Sequence, residues 1–225
     1  MNKTLSMRCF ICVAGIDGSG KSTVSERLIM ANKGSLKYVW ARWEPFFLNP
    51  FIELVNKKLK KSNIGKHDES VYEERMNIKK QLLKYSFIKK IWLLLAEIDY
   101  FFQLLCKVSI PYLFKKKIIC DRYIYDFYID QCINLEIPVS NFESIFKTRL
   151  LKIFPKPDLL FYIKISPKIG YARKNDGTSQ SYLEERVKYY DKLKSIYRTI
   201  EIDGEQKLDD VVYSVMHEAG KFLKR

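Results

Sequence analysis

Residues 15–22 read G-I-D-G-S-G-K-S, and the apolar run R-C-F-I-C-V-A at 8–14 leads directly into them. Every fixed position of G-x-x-x-x-G-K-[ST] is filled. Glycines at 15, 18 and 20 permit backbone angles and a close approach that a Cβ would obstruct. The N–H groups of such a loop, at the positive end of the helix that follows, converge on phosphate oxygens. Lys21 is then expected to reach the β- and γ-phosphates of ATP, and the Ser22 hydroxyl to ligate Mg²⁺. Gly15, Asp17, Gly18, Ser19, Gly20, Lys21, Ser22 and Thr23 form the expected nucleotide-binding set.

A second cluster is K-I-I-C-D-R-Y at 117–123, a short apolar strand pattern that ends in a carboxylate and a guanidinium. Open α/β sheets place ligands at the carboxyl ends of their strands. Asp121 there suits a hydrated Mg²⁺, and Arg122 suits phosphate oxygens. A-R-W-E-P at 41–45 ends another strand pattern in the same manner, with Arg42 and Glu44. Tyr123, Tyr125, Asp126 and Tyr128 follow Asp121-Arg122 on an expected helix. Tyr123 and Asp126 are acceptor-side candidates; Tyr125 and Tyr128 share a face that borders an acceptor ring or simply packs. Phe46 and Phe47 suit stacking on a base or burial in the core equally.

These groups need a frame to hold them. Apolar runs at 8–14, 36–42, 117–121, 157–165 and 199–203 read as strands, the first covered on both faces and the third buried. Helical spacing is expected at 22–31, 51–60, from 71 to about 112 with a break near Ser86, and at 123–133 and 141–153. Further helices are expected at 167–173, 182–197 and 208–223, while 61–70 reads as a polar loop. Strands alternating with helices imply a doubly wound, mostly parallel five-stranded sheet flanked by helices. One domain over 1–225 is expected, with an acceptor-side helical region at about 51–115 and a short lid at about 174–181. Residues 91–106, I-W-L-L-L-A-E-I-D-Y-F-F-Q-L-L-C, carry Glu97 and Asp99 centrally and are too short to span a membrane comfortably. They read as a buried helix with two carboxylates aimed at a cleft.

Bulk properties narrow the classes. With 47% hydrophobic residues among 225, a sizeable core is available and a disordered class is excluded. The net charge is +14, yet the lysines are dispersed and the longest basic run is Lys115-Lys116-Lys117. This pattern fits a solvated surface, so no nucleic-acid partner and no membrane partner are expected. Five cysteines without a secretory signal point to reduced thiols in a cytoplasmic protein. Cys9 and Cys12, three apart on a strand, should face opposite sides and pack rather than share a metal.

The chain resembles the thymidylate kinase family, within the P-loop nucleoside monophosphate kinase fold. The resemblance rests on G-I-D-G-S-G-K-S-T at 15–23, R-x-E-P at 42–45, I-C-D-R-Y at 119–123 and P-D-L-L-F-Y-I-K-I-S-P at 157–167. Arg173, Y-L-E-E-R-V-K-Y-Y-D-K-L at 182–193 and I-E-I-D-G at 200–204 continue it in family order. It implies transfer of the γ-phosphoryl of Mg·ATP to thymidylate, with Lys21, Asp121, Arg122 and Arg173 catalytic. Ser22 and Asp121 would serve the metal; Arg42, Glu44 and Asp99 would face the acceptor, beside the candidates Tyr123 and Asp126 already read from the residues. Trp43 separates Arg42 from Glu44, Asp99 lacks a following arginine, and the lid region carries Lys174 without a second arginine. Lys168, Arg173, Lys174 and Arg186 are the cations available near the γ-phosphate. Another small acceptor (a nucleoside, another nucleotide or a sugar-like metabolite) and a non-catalytic nucleotide binder are the alternatives. Pairing of two copies through 91–106 is a further implication, and burial within one chain accounts for that segment equally.

Overall fold

The computed structural model describes residues 9–32, 36–50, 52–53, 86–114, 117–147, 150–173 and 179–223. The expected loop at 61–70, the helical segments at 54–60 and 71–85, and residues 174–178 with Lys174 lie outside these. The chain divides into two compact units, Met1–Arg42 with Gln103–Arg225, and Trp43–Phe102.

The larger unit is built on five parallel strands: β1 (Phe10–Ala14), β2 (Leu36–Trp40), β3 (Lys117–Asp121), β4 (Leu159–Lys164) and β5 (Ile200–Asp203). Their spatial order is β2-β3-β1-β4-β5. Every residue of β1 is buried, because this strand lies at the centre of the sheet with both faces covered. Cys9, Ile11 and Val13 face one side with Ile119, Phe161 and Ile163. They pack there on Val24 and Leu28 of α1 (Lys21–Ala31) and on Val211, Val215 and Ala219 of the last helix, Leu208–Leu223. Phe10 and Cys12 take the other side; the Phe10 ring meets the Tyr123 ring edge-on at 5.0 Å. Cys9 and Cys12 thus occupy opposite faces, as strand alternation requires.

The remaining helices, in chain order, are α2 (Ser86–Leu104), α3 (Ile110–Leu113), α4 (Ile124–Asn134), α5 (Phe142–Phe146), α6 (Leu150–Ile153), α7 (Pro167–Arg173), α8 (Gln180–Ile196) and the last helix, α9. A π-helical turn at Leu105–Ser109 separates α2 from α3, next to Pro111, which has no N–H to donate. The helix expected at 141–153 is instead a 3₁₀ turn at Val139–Asn141 followed by α5 and α6.

The segment 91–106 departs from the expected buried helix. Ala96, Glu97, Asp99, Tyr100 and Leu104 are buried, whereas Ile91, Leu94, Leu95, Ile98, Phe102 and Leu105 are exposed. The helix turns its carboxylates inward because Asp99 has backbone amides to satisfy: it accepts from Phe46 N–H (2.9 Å) and Phe47 N–H (3.4 Å). In the same smaller unit the Trp43 and Trp92 rings meet edge-on at 6.4 Å.

In a parallel sheet all carboxyl ends lie along one edge. Val13 pairs with Asp121 and Trp40 also pairs with Asp121, while Arg122 N–H donates to Val13 O at 3.1 Å. The loop after β1, the Asp121-Arg122 pair and the end of β2 are therefore brought together by register alone.

Candidate active site

The chain leaves β1 through a loop that closes on the N-terminus of α1. Gly20, at φ +85°, precedes the helix in a left-handed conformation, and no atom lies within 4 Å of where its Cβ would be. No side chain caps α1 and no acid occupies its first turn. Its leading N–H groups and the positive end of its dipole are left for an anion. Gly18 is held for a different reason. A Cβ there would come within 2.5 Å of Gly170 O, and one on Gly170 within 2.8 Å of Asp17 O. Two glycines let the loop lie directly on α7.

Lys21 is buried and its ammonium donates to Ile16 O (2.7 Å) and Ser19 Oγ (3.4 Å). Burial, and then repulsion from Arg122, push its pKa down to about 7, against the pull of Asp17, Asp121 and Asp126. Phosphate oxygens beside this ammonium would favour its charged form. Ser22 Oγ donates to Asp121 Oδ2 at 2.6 Å, and Tyr38 OH donates to the same oxygen at 3.2 Å. Tyr38 is exposed on the sheet edge; partial desolvation of its phenol and the neighbouring carboxylate raise it to about 12, so it remains a donor. Asp121 Oδ1 is buried and meets no hydrogen-bond partner. A hydroxyl beside a carboxylate oxygen with spare acceptor capacity is a hard oxygen donor set, which suits a Mg²⁺ ion that retains its waters. Among the described residues no group of three or more His, Cys, Asp or Glu could hold a metal. Thr23 is exposed on the helix surface.

Arg122 sits at φ +70°, a costly conformation for a side chain with a Cβ, and this bend aims its guanidinium back over the loop. It is buried, donates to Asp17 and lies 3.6 Å from Asp126. Asp126 caps α4 by accepting from Tyr123 N–H (3.0 Å), receives Tyr190 OH, and lies 3.8 Å from Arg186. Its oxygens are engaged within the chain, so the acceptor contact expected of it gives way to a cap and arginine-holding role. Tyr123 is likewise a packing residue: its hydroxyl donates to Pro155 O at 2.8 Å and its ring is fully buried. Tyr125 and Tyr128 are fully buried, and Tyr125 stacks on Phe146 at 5.6 Å.

Arg186 is the residue that sequence reasoning placed wrongly, as a cation available to the γ-phosphate. It is fully buried and donates to Asp130, to Tyr182 OH (3.1 Å) and to Tyr190 OH (3.1 Å). Tyr190 OH in turn lies 3.0 Å from Gly15 O, joining α8 to the start of the loop. Arg42 Nε lies 3.9 Å from Asp130 Oδ2, so this carboxylate stands between two arginines. The signal was present: Tyr182, Arg186 and Tyr190 recur every four residues, which puts them on one helix face. Arg173 is exposed at the end of α7 and donates to Gly204 O at 3.0 Å. In the smaller unit Glu44 is exposed, Asp99 anchors the amides of Phe46 and Phe47, and those two rings are exposed and edge-on to each other at 5.0 Å.

The site therefore joins a glycine loop before an uncapped helix N-terminus, a buried lysine, an oxygen donor pair and an arginine paired with the loop's aspartate. The family model described as thymidylate kinase matches residues 51–215, more than half of the chain, beginning beyond the cradle. The curated thymidylate kinase of Leptospira interrogans serogroup Icterohaemorrhagiae serovar copenhageni is 28% identical over 213 residues, covering 90% of this chain and 89% of that one. That of Acholeplasma laidlawii is 33% identical over 133 residues, 54% of this chain and 64% of the relative. The solved structure of deoxyadenosine kinase from M. mycoides with bound dCTP superposes with a TM-score of 0.54 at 18% identity, covering 94% of this chain and 99% of that one. At that identity the likeness concerns the fold.

Proposed function

This chain belongs to the thymidylate kinase family, and on that premise we propose that it transfers the γ-phosphoryl group of Mg·ATP to thymidylate. An oxygen of the acceptor phosphate attacks the γ-phosphorus, the bond to the β,γ-bridging oxygen breaks, and ADP and dTDP result. The observation that carries this reading is the uncapped α1 N-terminus behind Gly20, with Lys21 and the Ser22–Asp121 pair beside it.

Catalysis rests on positioning and charge neutralisation, since an anionic phosphate acceptor needs no strong base. Lys21 exchanges the Ile16 carbonyl for the β- and γ-phosphates. Arg122, fixed from below by Asp17 and Asp126, faces charge that builds on the transferred group. Ser22 and Asp121 would hold Mg²⁺, which neutralises the phosphates when bound. Arg42, at the end of β2, is the acceptor-phosphate candidate, with Glu44 beyond it. Arg173, at the end of α7, is tied to the end of β5 by its donation to Gly204 O, and is the further cation we assign to the transferred phosphate.

One observation favours a second reading. Arg42 faces Asp130, Arg122 faces Asp17 and Asp126, and Arg186 faces Asp126 and Asp130. Such balanced charge suits a neutral nucleoside hydroxyl, for which a carboxylate would serve as base. Coupled ADP release with thymidylate, thymidine and the other nucleoside monophosphates separates the two. Turnover confined to thymidylate is expected; turnover with thymidine alone installs the second reading, and ADP release that no acceptor accelerates refutes both.

A further inference from the structure

Asp121 carries a donor that neither the loop motif nor the Asp-Arg motif includes. Tyr38 lies on β2, one of the two edge strands of the sheet, in register with Ile119 of β3. Residues paired in this way point to the same face, and Ile119 packs on the α1 side. From there the Tyr38 ring leans toward the carboxyl ends of the strands and its hydroxyl donates to Asp121 Oδ2 at 3.2 Å. Ser22 Oγ donates to that same oxygen at 2.6 Å, while the buried Oδ1 has no partner. The carboxylate is thus held at one oxygen from two sides, by the loop and by the neighbouring strand.

We propose that Tyr38 is a positioning residue for the divalent cation, locking the Asp121 carboxylate beside Ser22 Oγ so that it stays within reach of the ion's hydration shell. This rests on the phosphotransferase reading of the site. Ser22 is shared between Asp121 and the cation, so its hold on the carboxylate varies with loading. Tyr38, which reaches the carboxylate from outside the loop, keeps Asp121 in place independently of Ser22. Partners of this outer kind typically alter metal affinity 10–100-fold when removed.

Mn²⁺ and ADP serve as probes, with free Mn²⁺ read by electron paramagnetic resonance and ADP binding by calorimetry, with Mn²⁺ or with EDTA. Tyr38→Phe should lose about tenfold of the Mn²⁺-dependent gain in ADP affinity, while metal-free ADP affinity and Tm stay at wild-type values. An unchanged gain overturns the assignment, as does an equal fall in metal-free affinity, which a merely structural role would produce. Asp121→Asn separates the levels. If it abolishes the gain and Tyr38→Phe does not, the Tyr38 assignment alone fails. If the wild-type protein shows no gain from Mn²⁺, the cradle reading fails and the assignment with it.

Discussion

Gly170→Ala sets two physical effects of opposite sign against each other. Within a helix, alanine is favoured over glycine by about 1 kcal/mol, so propensity alone predicts a more stable protein. The structure predicts the reverse. The new Cβ would stand 2.8 Å from Asp17 O, 3.1 Å from Ile16 Cδ1 and 3.3 Å from Ile165 Cδ1. The first neighbour is backbone and cannot rotate away, so the loop or α7 must move by several tenths of an ångström. Overpacking of this kind costs about 1–3 kcal/mol. The net expectation is a loss of roughly 1 kcal/mol, the smaller number because propensity offsets part of the clash. The displaced atoms belong to the loop, so a cost of that size carried into binding should weaken ADP about fivefold, on the scale at which 1.4 kcal/mol is tenfold. Urea denaturation measures the first quantity and calorimetric ADP titration the second. A variant stabilised by about 1 kcal/mol with unchanged ADP affinity would refute the claim that the α7 glycine seats the loop.

Lys21 supplies a pH test. Its folded pKa near about 7 lies below the ordinary 10.5, and phosphate oxygens should raise it, so ADP binding at pH 8 should take up a proton. Affinity should then fall as pH rises above 7, by at most about tenfold per unit, and calorimetry in buffers of different ionisation enthalpy reads the uptake directly. In the empty protein the unfolded chain binds the extra proton between about 7 and 10.5, so this group's share of stability should grow with pH across that window. Arg186→Leu leaves Asp126 and Asp130 short of a buried counter-charge and should cost about 3 kcal/mol, a fall in Tm of roughly 6–12 °C. A smaller change than about 1 kcal/mol would show that the other arginines suffice. Pairing of two copies through the exposed apolar row of α2 predicts that Ile98→Glu lowers the mass read by light scattering while leaving the fold intact. An unaltered mass refutes pairing through that row.

The strands and the cradle were legible because their determinants are contiguous. The β1 residues are apolar without interruption because both faces are covered, and the glycines, Lys21 and Ser22 act within one loop and one helical turn. Helices α7, α8 and α9 followed from spacing in the same way. The charged residues whose reading changed found their partners inside the chain, some a turn away and others far along it. Asp99 and Asp126 are carboxylates near a cleft in the sequence; in the fold they satisfy backbone amides, because a buried N–H without an acceptor costs more than a carboxylate held back from a ligand. Arg186 is charged, and charge suggested solvent or phosphate, yet Asp126, Asp130 and two tyrosine hydroxyls make an interior position tolerable.

By itself, then, the sequence determined the five strands and their order along the chain, the glycine loop between β1 and α1, and the carboxylate at the end of β3. Only the tertiary structure decided that Ser22 and Tyr38 share one oxygen of Asp121, that Gly18 meets Gly170, and that Arg122 turns back onto Asp17. The reason is physical. Local backbone preference and hydrophobic period are written in neighbouring residues, whereas a hydrogen-bond partner or a close approach is set by strand register and helix packing across the whole chain.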